Sequence, residues 1–299
     1  MIYNIYKQRG ETPLECIQRF ARAKAELKGQ KMTYLGRLDP LAEGVLLMAS
    51  GEDVKRKEEF LGLDKEYDFI SLFGFATDTY DILGKIMRVE KFGELLENDV
   101  RRVAMIYEGE REQKYPEYSS KMISKKKTSP LASRGPLLDQ EREGAWSESL
   151  GFPSLGQGVS LGWDPSARLF ETEQSEVQKV DSSCKEGGVG FSKKITVHKM
   201  QFHKLEMLNS KELFGRLLMD ISRVKGDFRQ HEILVLWKQY LLGGGNGNYF
   251  LGKFSAHVSS GTYIRGLVND IGNTLGCGAT TLSIKRTRAG DYNIGDSVI

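Results

Sequence analysis

The order of apolar and polar positions predicts a chain that opens with a strand followed by a helix. Residues 2–7 form a short strand-like run. Thr12 and Glu15 then enclose Pro13 in the pattern of a capping box with proline at the first helical position. The apolar residues that follow recur at helical spacing: Leu14, Ile17, Ala21 and Ala25. Gly29 suits the end of the helix. We therefore expect a helix that packs on a sheet.

Apolar runs farther along predict the sheet and more helices. Residues 45–49 suit a short buried strand. The aromatic and aliphatic side chains of residues 63–75 predict a central strand covered on both faces. Strand character returns at 194–205 and 249–258. Helices are expected over 54–61 and as a pair over 209–242, the first of which begins at Asn209 in a capping box.

Residues 125–192 break this regularity, because no period persists through them. We interpret the segment as a long irregular insertion in a single domain spanning 1–299, and not as a second domain. Its aromatic residues argue against complete disorder: Trp146, Trp163 and Phe170. Four of the seven prolines fall here: Pro130, Pro136, Pro153 and Pro165.

The composition mainly excludes certain kinds of site and of targeting segment. The net charge of +3 is close to neutral, so a nucleic-acid footprint would have to come from local basic clusters. Three widely spaced cysteines and four histidines without ligand spacing predict neither a disulfide framework nor a metal site. No apolar run reaches the length of a membrane span, and no signal peptide is recognisable. We expect a cytoplasmic protein without metal or cofactor.

One carboxylate stands out for its setting. Asp39 lies between a turn at Gly36 and Pro40, and most of the residues around it are apolar. Pro40 disfavours the helical region for Asp39 and holds its backbone extended. Two interpretations remain open from these residues: Asp39 caps a short helix that starts at Pro40, or it is a shielded carboxylate used in nucleophilic or acid–base chemistry.

The same stretch resembles a known signature. Residues 36–46, GRLDPLAEGVL, are similar to the G-x-L-D-P-x-A-x-G-V-L motif of the bacterial tRNA pseudouridine-55 synthases, the TruB family. Further family motifs follow in the same order, as DKEY at 64–67, GFATDTYDILG at 74–84 and GTYIR at 261–265. The resemblance covers most of residues 1–124 and 193–290.

The resemblance implies a fold and an activity. The fold is of the α/β (α+β) class, a pseudouridine synthase fold with a central mixed, mostly antiparallel sheet flanked by helices and a long loop insertion. The activity is isomerisation of uridine to pseudouridine, expected at U55 in the T-arm of tRNA, by a monomer that needs no cofactor. Many family members continue into an RNA-binding PUA domain, and none is expected here.

The resemblance also implies roles for single residues. Asp39 is the catalytic nucleophile, Arg265 pairs with it, and Tyr67 lies against the target uracil and takes part in proton transfer. Tyr263 and Arg265 are expected in the first turn of a helix, turned toward a site at a strand end. Substrate contacts are expected from Tyr67 and from several further residues: Tyr34 (where the family has histidine), Tyr263, Ile284, Arg37, Thr77, Asp81 and Lys121.

Two competing functions are kept. The first is a catalytically weak tRNA-binding or tRNA-folding protein of the same fold. The second is an unrelated hydrolase that would use Asp39 with another carboxylate, although the motifs nominate no second acid in the pocket.

Overall fold

A computed structural model of the chain describes residues 1–90, 93–114, 122–123, 126–127, 192–243 and 247–299, with 122–123 and 126–127 as backbone only. The predicted insertion at 125–192 lies almost entirely outside the described residues, and so does Lys121.

The described strands number thirteen in chain order. They are β1 (Ile2–Lys7), β2 (Met32–Tyr34), β3 (Ala42–Ser50), β4 (Lys65–Phe73), β5 (Phe75–Thr77), β6 (Ile86–Val89), β7 (Gly109–Lys114), β8 (Met122–Ile123), β9 (Lys126–Lys127), β10 (Ser192–Asn209), β11 (Asn248–Val258), β12 (Ala279–Ala289) and β13 (Tyr292–Asn293). The helices are α1 (Pro13–Arg22), α2 (Lys57–Leu61), α3 (Glu97–Ile106), α4 (Ser210–Ser222), α5 (Gln230–Leu242) and α6 (Ile264–Thr274).

Nine of these strands form one sheet. Its order is β1-β3-β12-β4-β11-β10-β7, with β2 beside β3 and β13 beside β12. Strands β3 and β12 pair in parallel, and the other neighbours pair antiparallel. The predicted mixed, mostly antiparallel sheet flanked by helices is confirmed. Two short hairpins, β5–β6 and β8–β9, stand apart from it.

Helices cover both faces of the sheet around β4. Phe69 and Phe73 of β4 belong to a buried cluster that includes apolar residues of α3 and α6. Leu72 belongs to a second cluster with α4 and α5 on the opposite face. The prediction that this strand is covered on both sides is therefore confirmed, and it follows from the two-residue period of a strand.

Helix starts follow the local capping chemistry. Thr12 and Glu15 form the predicted capping box of α1, and Asn209 and Glu212 form that of α4. The predicted helix over 54–61 is instead a 3-10 segment (Gly51–Arg56) that continues into α2. Among the described residues, no helix is long and apolar enough to span a membrane.

The parallel pairing of β3 with β12 sets the position of the candidate site. It places Ala42, the first residue of β3, opposite Ile284. Strand β12 also pairs with β4, where Arg286 lies opposite Tyr67. Segments far apart in sequence thus meet at the amino end of β3, where the loop that carries Asp39 arrives.

Candidate active site

Asp39 lies in the loop between β2 and β3. The loop passes Gly36 at a φ of +107°, a conformation that glycine adopts without steric cost. The amide of Ala42 then donates to the Asp39 carbonyl at 3.0 Å, which closes a turn directly before β3. The interpretation of Asp39 as a helix cap is wrong, because a strand and not a helix follows Pro40.

A buried lysine supports this turn from below. Lys7 is fully buried at the end of β1, and its Nζ donates to the carbonyls of Pro40 at 3.1 Å, Ala42 at 2.6 Å and Gln8 at 3.2 Å. Burial lowers the pKa of Lys7 to about 8. Sequence reasoning missed this residue, although its inward position two residues after buried Ile5 was a usable signal.

Arg265 reaches Asp39 from the first turn of α6. Its Nε donates to Oδ2 of Asp39 at 2.8 Å, and its Nη2 donates to Oδ1 at 3.3 Å. The arginine side chain is 7% exposed, whereas that of Asp39 is 41% exposed. The structure thus brings together the two residues predicted to pair. The guanidinium of Arg265 is buried, and the carboxylate of Asp39 is accessible to a ligand. Arg265 is therefore not a surface arginine.

A second carboxylate lies on the other side of Arg265. Asp81 is buried, and its Oδ2 is 3.7 Å from Nε of Arg265. Its Oδ1 accepts from Thr79 Oγ1 at 2.6 Å and from the amide of Leu83 at 3.0 Å. Nη1 of Arg265 also donates to the Thr79 carbonyl. Every arm of the guanidinium is therefore engaged, which fixes its plane.

The charges in this group act on one another. Burial alone would lower the pKa of Arg265, but the carboxylates of Asp39 and Asp81 outweigh burial and raise its pKa. Burial raises the pKa of the Asp81 carboxyl, against the opposing effect of Arg265. An arginine with two acidic neighbours stays protonated, so it presents a permanent positive charge to Asp39.

The loop that holds Asp81 is directed inward. Oγ1 of Thr77 donates to the Asp81 carbonyl at 2.8 Å and lies 3.0 Å from Oγ1 of Thr280. Thr77 and Asp81 were predicted to contact substrate, but both are buried and bonded within the fold. In the structure the loop is a turn held together by these hydrogen bonds. Asp81 is a second acid near Asp39, which the hydrolase hypothesis requires. Its contacts with Thr79, Leu83 and Arg265 leave the Asp81 carboxyl group little freedom for proton transfer.

A small cleft opens beside Asp39. Ile284, predicted beneath the uracil, lies in its wall and is 7% exposed. Tyr67 is 8% exposed on β4 and belongs to the same buried cluster as Leu38 and Ile284. The lining residues are Asp39, Leu41, Ala42, Asp81, Thr281, Leu282, Ser283 and Ile284.

The other predicted contacts are distributed around this cleft. Tyr263 is the residue before α6, where Gln113 bonds both its amide and its carbonyl, at 2.8 and 2.9 Å. Arg37 is exposed two residues before Asp39. Tyr34 packs at the edge of a different cluster, around α1, with Nζ of Lys57 5.9 Å from its ring centre, and it does not line the cleft in the described part of the chain.

Comparison with known proteins finds similarity to one family. The sequence model of the TruB family pseudouridylate synthase (N terminal domain) matches residues 24–145, which include Asp39 and Tyr67. The tRNA pseudouridine synthase B of Clostridium tetani is 24% identical over 297 residues, 99% of this chain and 70% of its own length. The chain is thus similar in sequence to the TruB family, over the matched domain and in this alignment. That alignment reaches beyond the matched domain, over almost the whole chain.

A shorter TruB family alignment is closer in sequence. The tRNA pseudouridine synthase B of Aquifex aeolicus is 34% identical over 135 residues, 45% of this chain and 46% of its own length. Among solved structures, a chain of a crystal structure of a Cbf5-Nop10-Gar1 complex aligns with a TM-score of 0.48 at 17% identity, covering 98% of this chain and 49% of that one.

Proposed function

We propose that this chain is a tRNA pseudouridine synthase of the TruB family that acts on U55 of the T-arm, as a monomer in the cytoplasm. The observation that carries the proposal is the two-point pairing of half-exposed Asp39 with buried Arg265 at the mouth of a cleft. Similarity to the family suggests the reaction class, and the relatives named above are tRNA pseudouridine synthases.

The reaction is an isomerisation in which atoms balance within the nucleotide and water. The bond between C1′ of the ribose and N1 of uracil breaks, and the base turns. A bond from C1′ to C5 then forms, C5 loses its proton to water, and N1, which no longer carries the ribose, takes up a proton. A positioned carboxylate suits both ways of starting this sequence, as a nucleophile or as a stabiliser of developing positive charge on the sugar.

The setting of Asp39 supports this role. Its carboxylate is directed by Arg265, whose own orientation is fixed by Asp81 and by the Thr79 carbonyl. Its backbone is fixed by the turn that Lys7 supports. A reacting group held from both its side chain and its backbone needs little reorganisation when the substrate arrives.

Ile284 and Tyr67 would provide the surroundings of the base. Both belong to the cluster that adjoins the cleft, and their apolar surfaces suit a flat uracil that has left its stack in the RNA. We assign Tyr67 the stacking contact and assistance in removing the C5 proton. Tyr67→Phe keeps the ring and removes the hydroxyl, so it should retain RNA binding while product formation falls at least about 100-fold.

The test is tritium release from C5-tritiated uridine in a tRNA transcript, with the wild type, Asp39→Ala and Asp39→Asn compared at equal concentration. Release by the wild type and none by either variant would support the proposal. A transcript with U55 replaced by cytidine should release nothing if the position is right. A wild type that binds the transcript without releasing tritium would favour the tRNA-binding alternative.

A further inference from the structure

An exposed part of the sheet, at Asp64, His198 and His257, carries a cluster that the proposed reaction does not use. Asp64, His198 and His257 each direct one ligand atom toward the others, and these atoms all lie within 4.8 Å of one another. Across the residues that the structure describes, this is the one such group of three metal-binding side chains. We propose that it is a binding site for a divalent transition metal ion of the Zn²⁺ type.

The three residues come from neighbouring parts of the sheet. His198 lies on β10 and His257 on β11, which is the strand between β10 and β4. Asp64 immediately precedes β4, and its carbonyl accepts from the amide of Gly290 at 2.9 Å. The sheet therefore holds the backbone of all three residues, as a preformed site requires.

An irregularity in the strand pairing places His198 on the correct face. Val197 pairs with Val258 and Lys199 with His257, so His198 is the extra residue of a β-bulge. Val197 is buried while His198 and Lys199 are exposed, so two consecutive residues lie on the open face. Bulges commonly redirect a side chain in this way.

The distances suit a small cation. Nε2 of His198 is 3.1 Å and Nε2 of His257 is 3.9 Å from Oδ2 of Asp64, and the two imidazole ring centres are 4.6 Å apart. A tetrahedral ion with bonds of about 2.0–2.1 Å separates its ligand atoms by about 3.3–3.4 Å, so small side-chain movements would suffice.

The ligand types select the class of ion. Two imidazoles and one carboxylate favour Zn²⁺, Ni²⁺ or Co²⁺ over Mg²⁺ and Ca²⁺, which prefer oxygen ligands. The side chains of Asp64, His198 and His257 are 46%, 37% and 33% exposed, so water has access to complete the coordination. The histidines are 59 positions apart, and a search by spacing along the sequence does not detect such a pair.

The full chain, stripped of metal with a chelator, is titrated with ZnCl₂ by calorimetry and with CoCl₂ by visible absorption. The matched control is His203→Ala, because His203 also lies on exposed β10 but bonds Ser255 Oγ instead of a second histidine. We expect one site in the wild type and in His203→Ala. Affinity should fall at least about tenfold in His198→Ala and in His257→Ala.

A second set of measurements distinguishes loss of the metal site from misfolding of the variants. Asp64→Asn keeps the side-chain shape and removes the charge, and it should weaken binding while leaving the circular dichroism spectrum unchanged. Zn²⁺ should raise the Tm of the wild type and of His203→Ala more than that of the three site variants. If the wild type binds no Zn²⁺, or if the site variants bind it as the wild type does, the proposal is overturned and the cluster is an ion pair alone.

Discussion

Arg265 holds Asp39 by two hydrogen bonds, from Nε to Oδ2 at 2.8 Å and from Nη2 to Oδ1 at 3.3 Å. The pair joins residues 226 positions apart in the sequence. Because both oxygens are engaged, the plane of the carboxylate is set by the guanidinium and not by the flexible χ angles of Asp39. The predictions on activity below follow from this pairing and from what supports it.

Arg265→Lys should lower turnover by about 100-fold, because an ammonium cannot form the two-point contact and displaces the carboxylate. Binding of the tRNA transcript, measured by filter retention, should change far less. Arg102→Lys is the matched control, since Arg102 is exposed on α3 and pairs only with Asp99 among the ion pairs described. Turnover close to wild type in Arg265→Lys would mean that the pairing does not position Asp39.

The pair of helices α4 and α5 is linked to the surroundings of Arg265 by an ion pair. Nη1 of Arg229, the residue before α5, is 3.1 Å from Oδ2 of Asp78, next to the residue whose carbonyl accepts from Arg265. Arg229 has a φ of +62°, which asparagine tolerates well. Arg229→Asn should therefore lower kcat by about 2- to 30-fold at unchanged KM, as expected for couplings of about 0.5–2 kcal/mol.

The control for that variant is another ion pair between the same elements. Lys85 and Glu232 also link this region to α5, with side chains 38% and 53% exposed, and such surface pairs contribute little. Lys85→Ala should leave kcat unchanged. Equal effects of Lys85→Ala and Arg229→Asn would show a general loss of helix docking and not a specific support.

Stability should rise with pH above neutrality. Burial lowers the pKa of Lys7 and of Lys65 to about 8, from an unfolded value of 10.5. Between these values the unfolded state binds more protons, so the free energy of unfolding rises with pH, by at most about 1.4 kcal/mol per unit and group. This contribution is complete above the unfolded pKa and is lost as the pH falls through 8.

Urea unfolding at pH 7.5, 8.0, 8.5 and 9.0 measures the effect. Above pH 9 the gain should flatten, because burial raises the pKa of Cys16 and Cys277 to about 11, and loss of their protons favours the unfolded state. Lys7→Met should reduce the slope between pH 8 and 9. An unchanged slope in that variant would contradict the assignment to Lys7.

Gly44→Ala should destabilise the fold by about 3 kcal/mol or more. Gly44 has a φ of +104°, and a Cβ there would lie 2.2 Å from the carbonyl oxygen of Arg286 on the parallel neighbour β12. Gly29→Ala is the control, since Gly29 has a φ of +77° with no atom within 4 Å of the added carbon. It should cost only the backbone strain, about 1 kcal/mol. Denaturant midpoints measure both, and similar losses would mean that β3 and β12 separate easily.

Local features of the fold were predictable because they depend on neighbouring residues. The capping boxes at Thr12 and Asn209 act within one helical turn, so the four residues of each motif contain the whole interaction. The aromatic and aliphatic side chains along 63–75 likewise indicate that both faces of β4 are covered. The family motif added the expectation that Asp39 and Arg265 meet, which spacing alone could not supply.

The sequence by itself thus determined the capped helices α1 and α4 and the central strand β4. Through the family resemblance it also determined the mostly antiparallel sheet class and the residues on which the chemistry was expected to depend. Tertiary structure alone decided that Lys7 lies beneath the Asp39 turn, that Thr77 and Asp81 face inward, and that His198 and His257 meet. The reason is physical: a polar side chain has no fixed partner until strands pair. The free energy of burying its charge then depends on atoms that the chain brings in from dozens or hundreds of residues away.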